Sequence, residues 1–165
     1  MTDFAAADAG IRQLHGRFAD AVWRQDDAEF AACFASEGVW KIAGMEFTGR
    51  EQIADACRRM LGRCSHIHLI TGLPILEVDG GTAKGRLSLT EFARMQDGTT
   101  AMTIGWYHDS YVEEDGRWCF ARRHWSMKYR GAPDLTGHFA GTPNYGAFPS
   151  APAEDEATYV RPAGQ

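Results

Sequence analysis

The strongest constraint on the fold lies in the second half of the chain, where the apolar period is two. Four segments, His66 to Val78, Ala83 to Met95, Thr100 to Val112 and Trp118 to Tyr129, are separated by Asp79-Gly80-Gly81, Gln96-Asp97-Gly98 and Glu113-Glu114-Asp115-Gly116. Each break carries an Asp-Gly hairpin signature. Glycine accepts positive φ without a Cβ clash, and an Asp side chain can bond the turn backbone. Four long antiparallel strands are therefore predicted to close the chain's ordered part.

Three helices are predicted ahead of them. Ile11, Leu14, Phe18, Ala21 and Val22 recur at steps of three and four, as one buried helix face requires. Asp26 or Asp27 is placed to cap a second helix carrying Phe30, Ala31 and Phe34, ended by Ser36-Glu37-Gly38. Residues Val39 to Phe47 leave room for two short strands around Gly44. Thr48 then stands where a cap for a third helix belongs, and Ile53, Ala56, Cys57, Met60 and Leu61 form that helix's dry side up to Gly62. The fold class expected is α+β: a cone-shaped, strongly curved antiparallel sheet wrapped around three N-terminal helices, enclosing an apolar pocket. One domain is expected over 1–130. The remainder, 131–165, is a Gly-, Pro- and Ala-rich tail, with Leu135, Phe139, Tyr145 and Phe148 available to anchor its first part over the pocket or on a partner subunit.

Composition narrows the function. Seventeen basic residues against twenty-two acidic ones give a formal charge of -5, and no basic stripe follows a phosphate backbone, which argues against nucleic acid. No apolar run reaches the roughly 20 residues of a membrane span, and the N-terminus lacks the basic-then-apolar layout of a secretory signal, so a cytoplasmic location and no membrane partner are expected. The four cysteines form no CxxC and read as small buried apolar groups. Neither a metal-ligand spacing nor a Gly-rich phosphate loop is present, so no metal and no cofactor are expected.

Several stretches carry a family resemblance: FADAVWRQDDAEFAACFASEGVW, FTGREQI, HLITGLPILEVDG and DGRWCFARR. They span residues 11 to about 130 and resemble the SnoaL-like family of the nuclear-transport-factor-like superfamily. YHDSYVEEDGRWCFARRHWSMKYR followed by GHFAGTP is similar to the terminal hairpin and tail of its hexachlorocyclohexane dehydrochlorinase branch and related dehydratases. The resemblance implies a pocket His that takes a proton, held by an Asp on the first helix, with an Arg of the last strand steadying negative charge. The His falls on His68 and the Arg on Arg123, but the Asp falls on Trp23. Phe18 stands where such members carry a Tyr or Lys. Whether Asp26 or Asp27 substitutes for the lost carboxylate is left open by sequence.

On these residues the chain reads as a cofactor-independent lyase acting by proton abstraction and elimination on a small, largely apolar, aromatic or cyclic substrate. His68 is the expected base, because neutral imidazole can take and return a proton near pH 7. Arg123 and Tyr107 are the expected oxyanion partners. Arg123 sits on a mostly apolar strand face, so it must meet a carboxylate, such as Glu91 or Asp109, or a substrate oxygen. Phe18, Trp23, Trp40, Glu91, Trp125 and Met127 are the expected substrate contacts, with the Trp23 indole as pocket floor. A double-bond isomerase of the same pocket chemistry, and a ligand-binding or assembly domain without catalysis, are the alternatives. A homodimer or homotrimer is expected from the apolar bulk on both strand faces.

Overall fold

The computed structural model describes residues 3–140 and 146–152. Helix α1 (Phe4–Arg24) starts at Asp3, whose carboxylate accepts from the Ala5 amide, and stops at Gln25 in the left-handed region. Its buried residues are Ala7, Ile11, Leu14, His15, Phe18, Ala21 and Val22. Each large apolar side chain so buried contributes about 1.5–3 kcal/mol of transfer free energy, enough to hold a helix of marginal intrinsic stability. Helix α2 (Asp27–Ala32) is capped by Asp26, which accepts from the Glu29 amide. It ends earlier than the apolar spacing predicts. Phe34 opens a strand instead, because Cys33 O accepts from Phe120 N and draws the chain alongside the last long strand.

Strands β1 (Phe34–Ile42) and β2 (Met45–Thr48) form a hairpin leading to α3 (Gly49–Leu61). Thr48 occupies the cap position of α3 without a side-chain cap bond. Its amide donates instead to Gln52 Oε1. Then follow β3 (Cys64–Thr71), β4 (Ile75–Asp79), β5 (Thr82–Met95), β6 (Thr100–Glu114), β7 (Arg117–Gly131) and the two-residue β8 (His138–Phe139). The first predicted long strand is thus two strands, β3 and β4, each paired to a different part of β5. The break at residues 72–74 holds Gly72 and Pro74, and proline cannot donate to a ladder. The β6–β7 hairpin turns through Asp115 and Gly116, both at positive φ, as a primed two-residue turn demands.

The sheet corrects the expected cone. Its strand path is β2-β1-β7-β6-β5-β3, with β4 added on β5 and β8 on β7, and the end strands β2 and β3 do not pair with one another. The sheet is therefore open, and it is mixed, because β1 runs parallel to β7 while all other pairs are antiparallel. The physical reason is coverage. Helices α1 and α3 supply an apolar layer for one face, and a covered sheet need not close on itself to become dry. The core between these layers is centred on Phe18, Phe30, Phe34, Trp40, Ile53, Tyr107 and Phe120.

In the tail, Phe139 packs on Tyr129 and Leu135 is exposed. Tyr145, one of the four expected anchors, lies outside the described residues. All four cysteines are buried and unbridged. No described helix is long and apolar enough to cross a membrane.

Candidate functional site

The pleat sorts the expected site residues. Tyr107 pairs with Leu87 on β5 and Trp125 on β7, Asp109 pairs with Arg123, and Glu91 pairs with Leu69 and Thr103. Side chains alternate faces along a strand, so Glu91, Tyr107, Asp109 and Arg123 share the face that meets α1. His68 pairs with Phe92 and takes the other face. The structure thus brings Arg123 and Tyr107 together and does not bring His68 to them.

Arg123 is the centre of this face and is 0% exposed. Its guanidinium lies 3.8 Å from the Tyr107 ring centroid, 4.0 Å from that of Phe120 and 4.3 Å from that of Phe18. Asp109 accepts two hydrogen bonds from it, at Nε and Nη2, each 3.1 Å. Of the two carboxylates that sequence offered as its partner, Asp109 is the one used. Burial pushes the Asp109 carboxyl up, while the Arg123 charge and the hydrogen bonds from Arg123 and Tyr111 pull it down. Arg123 cannot shed its proton, so ionised Asp109 is the form that leaves the pair neutral.

His15 completes the network and was missed as a site residue. Arg123 Nη2 lies 3.3 Å from His15 Nδ1, and His15 Nε2 lies 3.0 Å from the Tyr111 hydroxyl, which donates to Asp109 Oδ2. An arginine can only donate, so Nδ1 accepts and the proton sits on Nε2. Burial, reinforced by the neighbouring Arg123 charge, lowers the imidazole to about 2, so it is neutral. Its signal in the sequence was positional: Ile11, Leu14, His15 and Phe18 lie on one helical stripe.

Two buried donors here have no hydrogen-bond partner among the described residues, Arg123 Nη1 and Trp40 Nε1. Trp40 and Arg123 are direct partners across the β1–β7 ladder. The Tyr107 hydroxyl and the Trp40 indole N–H influence each other without reaching ordinary hydrogen-bond geometry. Burial pushes the phenol up to about 12, so Tyr107 is a donor. Trp125 packs on Tyr107 at 4.9 Å, and Met127 is buried beside this aromatic wall. Glu91 is raised above its ordinary value by burial, against the Arg130 charge. Arg130 itself reaches Thr103 Oγ1 at 3.3 Å, one ladder position from Glu91.

Trp23 does not form a pocket floor. It is 58% exposed and meets the exposed His68 edge-on at 5.6 Å. The buried stripe of α1 ends on Ala21 and Val22, and a residue one step further round the helix falls outside it. Phe18 does occupy the core, packed on Phe30 with the rings tilted and 4.7 Å apart. Asp26 is engaged by the Glu29 amide and Arg24, and Asp27 by Arg58. Among the described residues no cluster of three or more His, Cys, Asp and Glu side chains is placed to hold a metal ion.

A family model described as a SnoaL-like domain matches residues 3–124. Among curated proteins none matches. A function-unknown protein from Mycobacterium tuberculosis superposes with a TM-score of 0.67 at 24% identity, over 73% of this chain and 75% of that one. Hexachlorocyclohexane dehydrochlorinase type 3 from Novosphingobium barchaimii superposes with a TM-score of 0.70 at 18% identity, over 77% and 90% of the two chains. A protein from Kribbella flavida gives 0.72 at 18% identity, over 81% and 98%.

Proposed function

The chain belongs to the SnoaL-like domain family, and from that premise we propose that it is a cofactor-independent lyase for a small, largely apolar, ring-bearing molecule. Several of its structural neighbours are of dehydrochlorinase and dehydratase type. The observation that carries the reading is the donor cluster: Arg123 Nη1 and Trp40 Nε1, both buried and unpartnered among the described residues, beside the Tyr107 hydroxyl. Buried donors without acceptors are costly, and donors fixed in advance around one point stabilise an oxyanion far better than water does. Asp109 and His15 hold Arg123 in place through Nε and Nη2, which leaves Nη1 as its unused donor among the described residues.

The proton needs a base on the same face. Glu91 is there, and burial raises its carboxyl toward the range in which it can take a proton and return it. His68, the base implied by family resemblance, stands at the exposed sheet edge beside Trp23. The reaction assigned is removal of a proton by Glu91 from the carbon next to an oxygen-bearing centre, charge build-up at the Arg123–Trp40–Tyr107 cluster, and departure of a leaving group from the adjacent carbon. Return of the proton to a different carbon by Glu91 would make the same site an isomerase.

Two measurements test this. 4-Nitrophenol, a ring with a single oxygen, should bind with its ionised form favoured, visible in its absorption spectrum, and Arg123→Met should abolish that preference. Dehydration of 3-hydroxycyclohexanone, a ring whose acidic carbon lies between a carbonyl and the carbon bearing the leaving group, should fall at least about 100-fold in Glu91→Gln, as for loss of a general base, with His68→Ala within about tenfold of wild type. The opposite ranking of the two variants returns the base to His68. Equal affinity for neutral and ionised nitrophenol removes the oxyanion role and leaves a ligand-binding domain.

A further inference from the structure

The face of the sheet turned away from α1 carries a second, chemically different site. Two cross-strand rows lie side by side there. Arg86 pairs with His108, His108 with His124, and His124 with Lys41. In the next row Lys84 pairs with Ser110 and Ser110 with Arg122. Each row has a cation at both ends and neutral polar groups between. A cavity of about 180 Å³ lies over them, lined by Lys84, His108, Ser110, Arg122 and His124, with Gly85 and Asp109 between them and residues 148–152 completing the wall; the Asp109 carboxylate itself is engaged by Arg123. That volume is several times what one water needs.

Three further observations point to an anion. His124 is 4% exposed, and its Nε2 has no hydrogen-bond partner among the described residues. Burial and the surrounding cations lower both imidazoles to about 4, with Arg86 acting on His108 and Lys41 and Arg122 on His124. Positive potential is therefore concentrated here although the whole chain is acidic. Among the described residues, the carboxylates that face the rows are at the rim. Glu46 lies 3.3 Å from Arg122, and Glu77 sits across the ladder from Lys84. They leave an excess of cations over a partly enclosed space, and such clefts focus the field on a small counter-ion. The tail segment is tied over the same region by the Arg86 bond to Gly146 O.

We propose that this cavity binds a small phosphate-bearing anion, held by Lys84 and Arg122 with His108, His124 and Ser110 as neutral polar partners and residues 148–152 as its cover. Phosphate suits the set because its several oxygens can use point charges, a hydroxyl and imidazole N–H groups at once. The site is on the opposite sheet face from the donor cluster and stands whether or not that cluster is catalytic.

Calorimetric titration of the full chain with inorganic phosphate, methyl phosphate and acetate at low ionic strength tests the proposal. One saturable site for inorganic phosphate is expected, accompanied by a shift of the His124 ring proton resonances. Retained affinity for methyl phosphate would identify a phosphate ester as the physiological form, and its loss the free ion. Lys84 is exposed, so Lys84→Met should fold normally and weaken phosphate binding at least about tenfold, as loss of a charge-assisted contact does. His124→Gln serves as a second variant, with its fold checked by circular dichroism. Absence of saturable binding by both phosphate probes, unchanged affinity in Lys84→Met, or acetate binding as tightly as phosphate would each overturn the proposal.

Discussion

Arg123 keeps a permanent charge in a place without solvent, and three aromatic rings and one carboxylate make that tolerable. Removing the carboxylate leaves the charge uncompensated. Asp109→Asn should therefore cost about 3–5 kcal/mol, read as a fall in the urea midpoint at unchanged slope. Replacing both partners, Asp109→Leu with Arg123→Met, should recover most of that loss, because a buried pair exchanged for apolar volume is close to neutral. An Asn variant as stable as wild type would mean that the His15 and Tyr111 contacts alone support the guanidinium. Sequence made Arg123 conspicuous as a charge on an apolar strand face and narrowed its partner to two carboxylates. The choice between Glu91 and Asp109 is a matter of ladder register, which no residue type announces.

Strands β6 and β7 share a long ladder and carry most of the site, so their local packing sets its geometry. Gly105 lies where the register shifts, and the Trp125 indole passes over it. A Cβ built there would stand 2.4 Å from the Ser126 carbonyl oxygen and 2.6 Å from the Trp125 ring. The first neighbour is backbone and cannot rotate aside. Gly105→Ala should destabilise the protein by about 1–3 kcal/mol, as overpacking does, and should displace Trp125 from Tyr107, seen as a change in tryptophan emission alongside a lower Tm. A variant with wild-type Tm and emission would place the flexibility of this ladder above its packing. The existence of these strands was legible from their Asp-Gly turns. The bulge at Gly105, the early end of α2 and the parallel entry of β1 beside β7 were not, because each depends on contacts between segments far apart in sequence.

At the scale of the whole molecule, three buried histidines govern the acid limb of stability. His15 is lowered to about 2 and His108 and His124 to about 4, all by burial and nearby cations. Their unfolded forms titrate near 6.5, so their neutral burial costs nothing above that pH. As pH falls from about 6.5 toward 4 the unfolded chain binds protons that the folded chain refuses, and stability is lost. Glu91 and Asp109, raised by burial, work in the opposite sense. On unfolding at pH 5 the three imidazoles should therefore take up protons and the two carboxyls release them, with net uptake measurable as the slope of stability against pH, and a flat profile between pH 6.5 and 4.5 would show these imidazoles to be hydrated. By itself the sequence determined the α+β class, the order of helices before strands and the hairpin breaks, because periodicity and turn chemistry are local. Only the tertiary structure decided that the sheet stays open, that His68 lies at its edge against the exposed Trp23 of α1, and that His15 joins Asp109 and Arg123. Those outcomes follow from which face each strand presents and what covers it, and a one-residue change of register reverses them all.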